Sequence, residues 1–215
     1  MSHDARVRRL GAEWSAQWSD AWRAAGASTI DPAEGDAVLA RYAEPARRYH
    51  TLRHLDECFA RLDLVHTVAE RPGELALALW YHDAVYDPLA SDNEARSADL
   101  AVRAMERARL PAAARDRVRA LIMATRHDAL PAPGDAALLV DVDLGILAAD
   151  PARFDEYEDE IRAEYAWVPG PIFRSKRREV LRGFAARERI YVSGAFDGDE
   201  RRARENLKRS LARLG

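Results

Sequence analysis

The sequence is poor in cysteine and lacks long apolar runs, which are the features typical of disulfide-rich and membrane-spanning proteins. It holds one cysteine, which excludes an intramolecular disulfide and a cysteine-rich zinc module and suits a reducing compartment. Its longest apolar run near the middle of the chain, Leu75 to Tyr81, is far too short to span a bilayer. The charged N-terminus lacks the apolar core of a signal peptide. We therefore expect a cytoplasmic protein with no membrane partner.

The sequence also lacks a basic excess. Its 33 Lys+Arg residues are set against 36 Asp+Glu residues, so the formal net charge is −3. Nucleic-acid-binding proteins usually have a strong basic excess, so we expect no stable nucleic-acid complex. Only Lys176 and Lys208 are lysines. We interpret the arginine and alanine richness as a coding bias that raises helix propensity.

Apolar residues recur mostly at helical spacing. Trp14, Trp18 and Trp22 recur every four residues, which predicts one packed face of an N-terminal helix. Strand-like alternation is short and rare, with residues 190–192 as the best case. We predict an all-α, helical-bundle fold in a single domain over residues 1–215. Its core covers about 45–150, with helical extensions at 1–44 and 151–215.

Capping residues and proline breaks divide the chain into helices. Asp31 and Pro32 are typical of a helix cap and first helical position. Glu44 before Pro45 predicts a break. Further helices are predicted at about 51–64, after Pro72 and Gly73, from 92 to about 110, at about 112–126, from about 135, and at about 151–165, 173–187 and 199–214.

Residues that suit metal chemistry occur in three short segments. The first contains His50 and His54, which project to one side if the segment is helical throughout. His82 and Asp83 form the second, at the end of an apolar run, and Asp141 and Asp143 interrupt another apolar run. Either histidine segment alone is more often a satisfied polar patch, but unpaired buried carboxylates are costly. The ordered combination suits a divalent transition metal (Mn, Co, Ni, Fe or Zn) with positions left open for water and substrate.

Four motifs in this order make the sequence resemble the HD superfamily of metal-dependent phosphohydrolases, whose signature is an ordered H…HD…D set on an all-α core. The resemblance is closest to a bacterial group of predicted phosphohydrolases, and it covers about residues 47–150. The motifs read YHTLRH at 49–54, WYHDAVYD at 80–87, DNEARSA at 92–98 and DVDLGIL at 141–147. The later segments IRAEY and ENL fit the same group. Tyr81 stands where Phe is common, which leaves the ligands untouched.

The resemblance implies metal ligation by His54, His82, Asp83 and Asp143. The YHxxxH arrangement is also similar to that of cyclic-nucleotide phosphodiesterases, in which the first histidine is the general acid. His50 is therefore our candidate for protonating the leaving oxygen. The Asp-Leu pair of the motif favours Asp143 as the ligand, and leaves Asp141 for a supporting role behind the ligands.

Phosphoryl transfer also needs cationic groups to neutralise charge on oxygen. Arg47, Arg48 and Arg53 surround the first motif, and their planar guanidinium groups suit phosphate oxygens, so we predict that they bind substrate. The rival interpretation is that they are ordinary solvated arginines. For a second basic cluster we favour simple solvation of a helix. That cluster comprises Arg174, Lys176, Arg177 and Arg178.

Three further residues have two interpretations each. Glu94 could hydrogen-bond the attacking water as a catalytic residue, or could simply favour a helix start. His127 could support the site or bind a second metal, or could interact with exposed carbonyls at a helix end. Cys58 lies one turn beyond His54, and we expect it to be a buried apolar residue rather than a ligand.

These expectations describe a phosphohydrolase that uses metal-activated water on a small phosphorylated, nucleotide-like substrate. The sequence leaves room for a homodimer. One alternative is a non-catalytic metal- and nucleotide-binding regulatory protein. A second is a di-iron oxygenase on the same fold, which would need more histidine ligands than the predicted set supplies.

Overall fold

The computed structural model describes residues 3–215, with side chains from residue 11 onward. Within that range every element of regular secondary structure is a helix and none is a strand, which confirms the predicted all-α class. The α-helices are α1 (His3–Ala24), α2 (Pro32–Tyr42), α3 (Leu52–Val65), α4 (Pro72–Tyr81), α5 (Asn93–Arg107), α6 (Ala112–Ala124), α7 (Asp135–Asp143), α8 (Pro151–Glu164), α9 (Gly170–Ala186) and α10 (Glu200–Arg213). Short 3₁₀ segments are His66–Val68, Leu144–Ala148 and Asp197–Asp199.

The helix starts that the caps predict are found close to their predicted positions. Asp31 caps α2, because its carboxylate accepts the N–H of Ala33 at 2.9 Å, and Pro32 is the first residue of the helix. Thr51 caps α3 by accepting the N–H of Arg53. His50 therefore lies in a turn before the helix and not within it.

Residues 190–192 do not form a strand in the described part of the chain. The N–H groups of Ile190 and Tyr191 donate to the carboxylate of Glu200, and that of Val192 donates to Asp141. Side-chain acceptors thus satisfy the backbone donors that a neighbouring strand would otherwise pair.

The tryptophan stripe packs as predicted and positions α4. Trp14, Trp18 and Trp22 are all buried. The rings of Trp14 and Trp18 lie 5.3 and 5.1 Å from the ring of Trp80, near the end of α4. One continuous hydrophobic core includes residues of both terminal extensions, so these helices complete the core around the central segment. None of the described helices combines the length and the apolar character needed to cross a membrane.

Candidate metal centre and cleft

Three helices bring the predicted ligands together. His54 comes from the first turns of α3, His82 and Asp83 follow the end of α4, and Asp143 ends α7. The Nε2 atoms of His54 and His82 are 3.1 Å apart. Oδ1 of Asp143 lies 3.3 Å and 3.5 Å from these two nitrogens. Oδ2 of Asp83 lies 3.5 Å and 3.3 Å from the same two atoms.

These distances fit a shared cation. Ligand atoms about 2.1 Å from one ion lie roughly 3.0–3.4 Å from each other in octahedral or tetrahedral geometry. Nδ1 of His82 donates to the carbonyl of Leu79 at 2.7 Å, so its Nε2 is the ring atom that faces the carboxylates. Two buried imidazoles and two carboxylates that converge on one point need positive charge there.

The histidines and carboxylates of the cluster stabilise each other's charged forms. Burial would raise the pKa of Asp143, but its contacts with His127, His54 and His82 hold that pKa well below its usual range. Burial would lower the pKa of His82, yet the charge of Asp83 raises it well above its usual value. The histidines thus keep the carboxylates ionised, and a metal ion would have to displace protons from the same imidazoles.

Cys58 lies beside this cluster. Potential ligand atoms of His54, Cys58, His82 and Asp143 all lie within 4.8 Å of one another, so this buried group could hold a metal ion. Sγ of Cys58 is 3.7 Å from Nδ1 and 3.8 Å from Nε2 of His54. Cys58 is buried as predicted, and its sulfur also lies within reach of the cluster.

Backbone hydrogen bonds hold the segment that carries His82 and Asp83. Tyr42 donates to the carbonyl of Trp80 and accepts the N–H of Asp83, both at 3.2 Å. Burial raises the pKa of Tyr42 to about 12, so its hydroxyl remains a donor. The guanidinium of Arg47 donates to the carbonyls of Asp83 and Ala84 at 2.6 and 3.1 Å.

The three arginines predicted to bind substrate are placed elsewhere. Arg47 is buried, and its donors are used by backbone carbonyls and by Glu44, so its contacts are structural. Arg53 is half-exposed and forms ion pairs with Glu57 and Glu156. Arg48 is exposed, and none of the three lines the cleft beside the cluster. These arginines are close to His50 in the sequence, but they do not line the same cleft.

His50 has a partner that is distant in the sequence. Its Nδ1 lies 2.8 Å from the carboxylate of Glu164 at the end of α8. The same carboxylate accepts the hydroxyl of Tyr86 at 2.8 Å, and the Tyr86 ring stacks on His50 with centroids 4.0 Å apart. Nδ1 is therefore engaged, and Nε2 is the nitrogen left for a substrate.

Glu164 also holds the turn that carries His50. It accepts the backbone N–H groups of Arg48, Tyr49 and His50 at 2.8–3.1 Å. Burial would raise the pKa of Glu164, but the contacts with His50, with the N–H of Arg48 and with Tyr86 outweigh it and lower the pKa to about 2. In the sequence, Glu164 is indicated only by the IRAEY segment that contains it. That segment gives no indication that His50 is its partner.

The two aspartates of the third motif have different surroundings. Asp143 joins the cluster, whereas Asp141 is fully buried and accepts the N–H groups of Val192 and Ser193 and the Ser193 hydroxyl. Asp141 thus anchors the loop before α10 and contacts none of the predicted ligands. The preference for Asp143 agrees with this geometry.

His127 contacts the cluster directly. Its Nε2 lies 2.9 Å from Oδ2 of Asp143, whereas the contacts of this aspartate with His54 and His82 are through Oδ1. The residue has a φ of 58°, a left-handed conformation that is uncommon outside glycine. This contact fits a residue that orients Asp143, and it differs from the helix-end carbonyl interaction that was the alternative.

A cleft of about 1190 Å³ opens beside the cluster. Of the predicted site residues, five line it, namely His50, Asp83, Glu94, His127 and Asp143. His54 and His82 lie behind this surface and are buried. Glu94 is half-buried in the first turn of α5, where both the catalytic and the helix-start interpretation remain.

A large part of the cleft lining comes from α9 and the loop before it. It is rich in apolar side chains, including Trp167, Ile172 and Phe173. The basic cluster of this helix is not uniformly solvated as predicted, because Arg177 is buried and pairs with Glu158, and Lys176 also lines the cleft.

Comparisons with protein-family models, with curated proteins and with solved structures found no match for this chain.

Proposed function

We propose that this protein is a metal-dependent phosphohydrolase that cleaves a phosphoester or phosphoanhydride of a small, nucleotide-like molecule. The observation that carries the proposal is the convergence of two imidazoles and two carboxylates at one wall of a large cleft, with His50 beside them. The resemblance of the four motifs to the HD superfamily supports the same conclusion.

His54, His82, Asp83 and Asp143 would hold a divalent transition metal ion. Such an ion supplies Lewis acidity and lowers the pKa of a bound water so that hydroxide is available near neutral pH. Asp143 is kept in position by His127, and the His82–Asp83 segment by Arg47 and Tyr42.

His50 donates a proton to the leaving oxygen through Nε2. Glu164 holds the opposite ring nitrogen, balances the charge of the imidazolium and fixes the orientation of the ring. Tyr86 stacks on the same imidazole. The ring of His50 is therefore held on its face by Tyr86 and at its edge by Glu164.

The size and lining of the cleft support an organic substrate larger than phosphate. Its volume exceeds the roughly 300–1,000 Å³ that is common for small-molecule sites. The apolar side chains of Trp167 and Phe173 would cover the organic part of the substrate, which excludes water from one side of the reacting phosphoryl group.

Metal content by inductively coupled plasma mass spectrometry tests the proposal. We expect wild type to retain roughly one to two equivalents of Mn, Co, Ni, Fe or Zn, and a His82→Ala/Asp83→Ala variant to lose both the metal and phosphoester hydrolysis. His66→Ala is the matched control, because His66 is exposed, lies outside the cluster and the cleft, and contacts the carbonyl of Asp63 through Nδ1.

Two results would contradict the proposal. The first is a wild-type protein that takes up none of these metals, and the second is undiminished hydrolysis by the metal-free variant. Metal and nucleotide binding without any turnover would instead identify the regulatory alternative.

A further inference from the structure

Phosphoryl transfer in this cleft needs a cationic group, and the three predicted arginines do not supply it. The cleft is lined by four other basic residues, Arg126, Lys176, Arg177 and Arg187. Three of them already have carboxylate partners: Arg126 pairs with Asp128, Lys176 with Glu179, and Arg177 with Glu158.

Arg187 is different, because it has no carboxylate partner among the residues whose side chains are described. It follows the last residue of α9 and is half-buried. Burial lowers the pKa of its guanidinium, and no acidic group offsets that effect. An uncompensated, partly desolvated cation beside a cleft is a costly arrangement that an anionic ligand would relieve.

The guanidinium of Arg187 is also held in place. Its Nη2 donates to the carbonyl of His127 at 3.0 Å, and the group lies 4.8 Å from the centroid of the Phe184 ring. The ring of the same His127 contacts Asp143. A single residue in a left-handed conformation thus links the cation to the metal cluster, with its carbonyl directed to one and its imidazole to the other.

We propose that Arg187 is the anion-binding residue of the cleft and contacts phosphate oxygens of the substrate. This inference rests on the proposed function for the identity of the substrate, but the binding of phosphate by Arg187 can be measured separately. Its planar group with fixed donors suits two oxygens of one phosphate. Arg187, at the end of α9, thus takes the role predicted for the arginines around His50.

Isothermal titration calorimetry with inorganic phosphate tests this inference. We would titrate the intact protein, both after EDTA treatment and after loading with Mn²⁺, and compare wild type with Arg187→Gln. We expect about ten- to 100-fold weaker phosphate binding in the variant, because a charge-assisted contact is lost. Arg187→Lys should fall between the two, because it keeps the charge and loses the fork.

Arg182→Gln is the matched control, since Arg182 lies in the last turns of α9, just before Arg187, is exposed and does not line the cleft. It should bind phosphate as wild type does. A merely structural role for Arg187 predicts that Arg187→Gln changes metal stoichiometry or the unfolding midpoint and leaves phosphate affinity equal to that of Arg182→Gln. Equal affinities, or no phosphate binding by wild type, would overturn the inference.

The outcomes also separate this inference from the proposed hydrolase activity. Phosphate binding that depends on Arg187 in a protein that hydrolyses no phosphoester would support the inference and refute the activity. Hydrolysis that is unaffected by Arg187→Gln, with unchanged phosphate affinity, would do the reverse.

The same variants locate the phosphate that Arg187 contacts. If it holds the transferred phosphoryl group, Arg187→Gln lowers kcat/KM equally for p-nitrophenyl phosphate and for a nucleoside diphosphate. If it holds a second phosphate, the loss is confined to the diphosphate. Either pattern supports anion binding at Arg187.

Discussion

At the scale of single residues, Glu164 keeps its charge in a buried position because it has five hydrogen-bonding partners. Three are backbone N–H groups of the turn at residues 48–50, and the others are His50 and Tyr86. A carboxylate that accepts this many hydrogen bonds remains ionised and is held in one orientation. His50 is therefore oriented before any substrate enters the cleft.

Glu164→Gln should reduce kcat by about ten- to 100-fold with a poor leaving group such as phenol, because the amide cannot balance an imidazolium. It should affect p-nitrophenyl phosphate much less, since nitrophenolate leaves without a proton. His50→Ala should show the same pattern more strongly and retain the metal. Steady-state kinetics with the two phosphates measures the difference.

Tyr86→Phe is the control for this prediction, because it keeps the ring stacked on His50 and removes one hydrogen bond to Glu164. Its loss should be the smallest of the three. An equal loss on both substrates for His50→Ala and Glu164→Gln would argue against a general-acid role.

Asp141 and Asp143 provide a matched pair of substitutions. Asp141→Asn should lower the free energy of unfolding by about 1–3 kcal/mol, because one of its buried donor contacts is lost, and should leave metal stoichiometry unchanged. Asp143→Asn should lose metal. Urea unfolding and metal analysis on both variants check this, and metal loss in the Asp141 variant alone would reverse the assignment.

At the scale of elements, α4 is fixed at both ends. Its C-terminal part packs under the tryptophans of α1, and its first turn lies against the end of α1. A Cβ atom on Gly73 would lie 2.3 Å from the backbone carbon of Ala24. Because α4 carries His82 and Asp83 beyond its end, the contact between α1 and α4 also sets the position of two predicted ligands.

Gly73→Ala should destabilise the protein by about 1–3 kcal/mol, since backbone atoms of α1 must move to admit the methyl group. Gly11→Ala in α1 is the control, because no atom of the described residues lies within 4 Å of the added Cβ there. That substitution should raise stability by about 0.5–1 kcal/mol. Urea unfolding of the two variants measures both effects, and effects of the same sign would contradict the close approach.

Much of the element pattern could be predicted from local sequence. Asp31 with Pro32 predicted the start of α2 to the residue, and the structure confirms it. Residues 190–192 were ambiguous, because their alternation favours a strand while their actual hydrogen-bond partners are the distant carboxylates of Glu200 and Asp141. Local propensity carries no information about such partners.

At the scale of the whole molecule, Glu164 joins the C-terminal extension to the turn before α3. Its pKa is lowered from 4.5 to about 2, so the stabilisation is complete above about pH 5. This stabilisation is lost as the pH falls from about 4.5 towards 2, because the carboxylate of the unfolded chain takes up a proton at a higher pH than the native carboxylate does. The difference between the pKa of Glu164 in the native and in the unfolded chain corresponds to about 3 kcal/mol of stability.

Urea unfolding at pH 6 and at pH 2 tests this on wild type and Glu164→Gln. The difference in unfolding free energy between the two proteins should be large at pH 6 and should shrink by about 3 kcal/mol at pH 2. A difference that does not change with pH would show that the carboxylate charge is not what joins the extension to the core.

The sequence by itself determined the all-α class, most helix starts and the short motifs that hold the candidate ligands. Helical periodicity and capping act over a few residues, so they can be read locally. Tertiary structure decided that Asp143 and not Asp141 joins the cluster, and that Glu164 holds His50. It also decided that Arg187 is the arginine of the cleft with no carboxylate partner among the described side chains. His50 and Glu164 are 114 residues apart, and only the burial of several helices in one core brings such distant side chains within hydrogen-bonding distance.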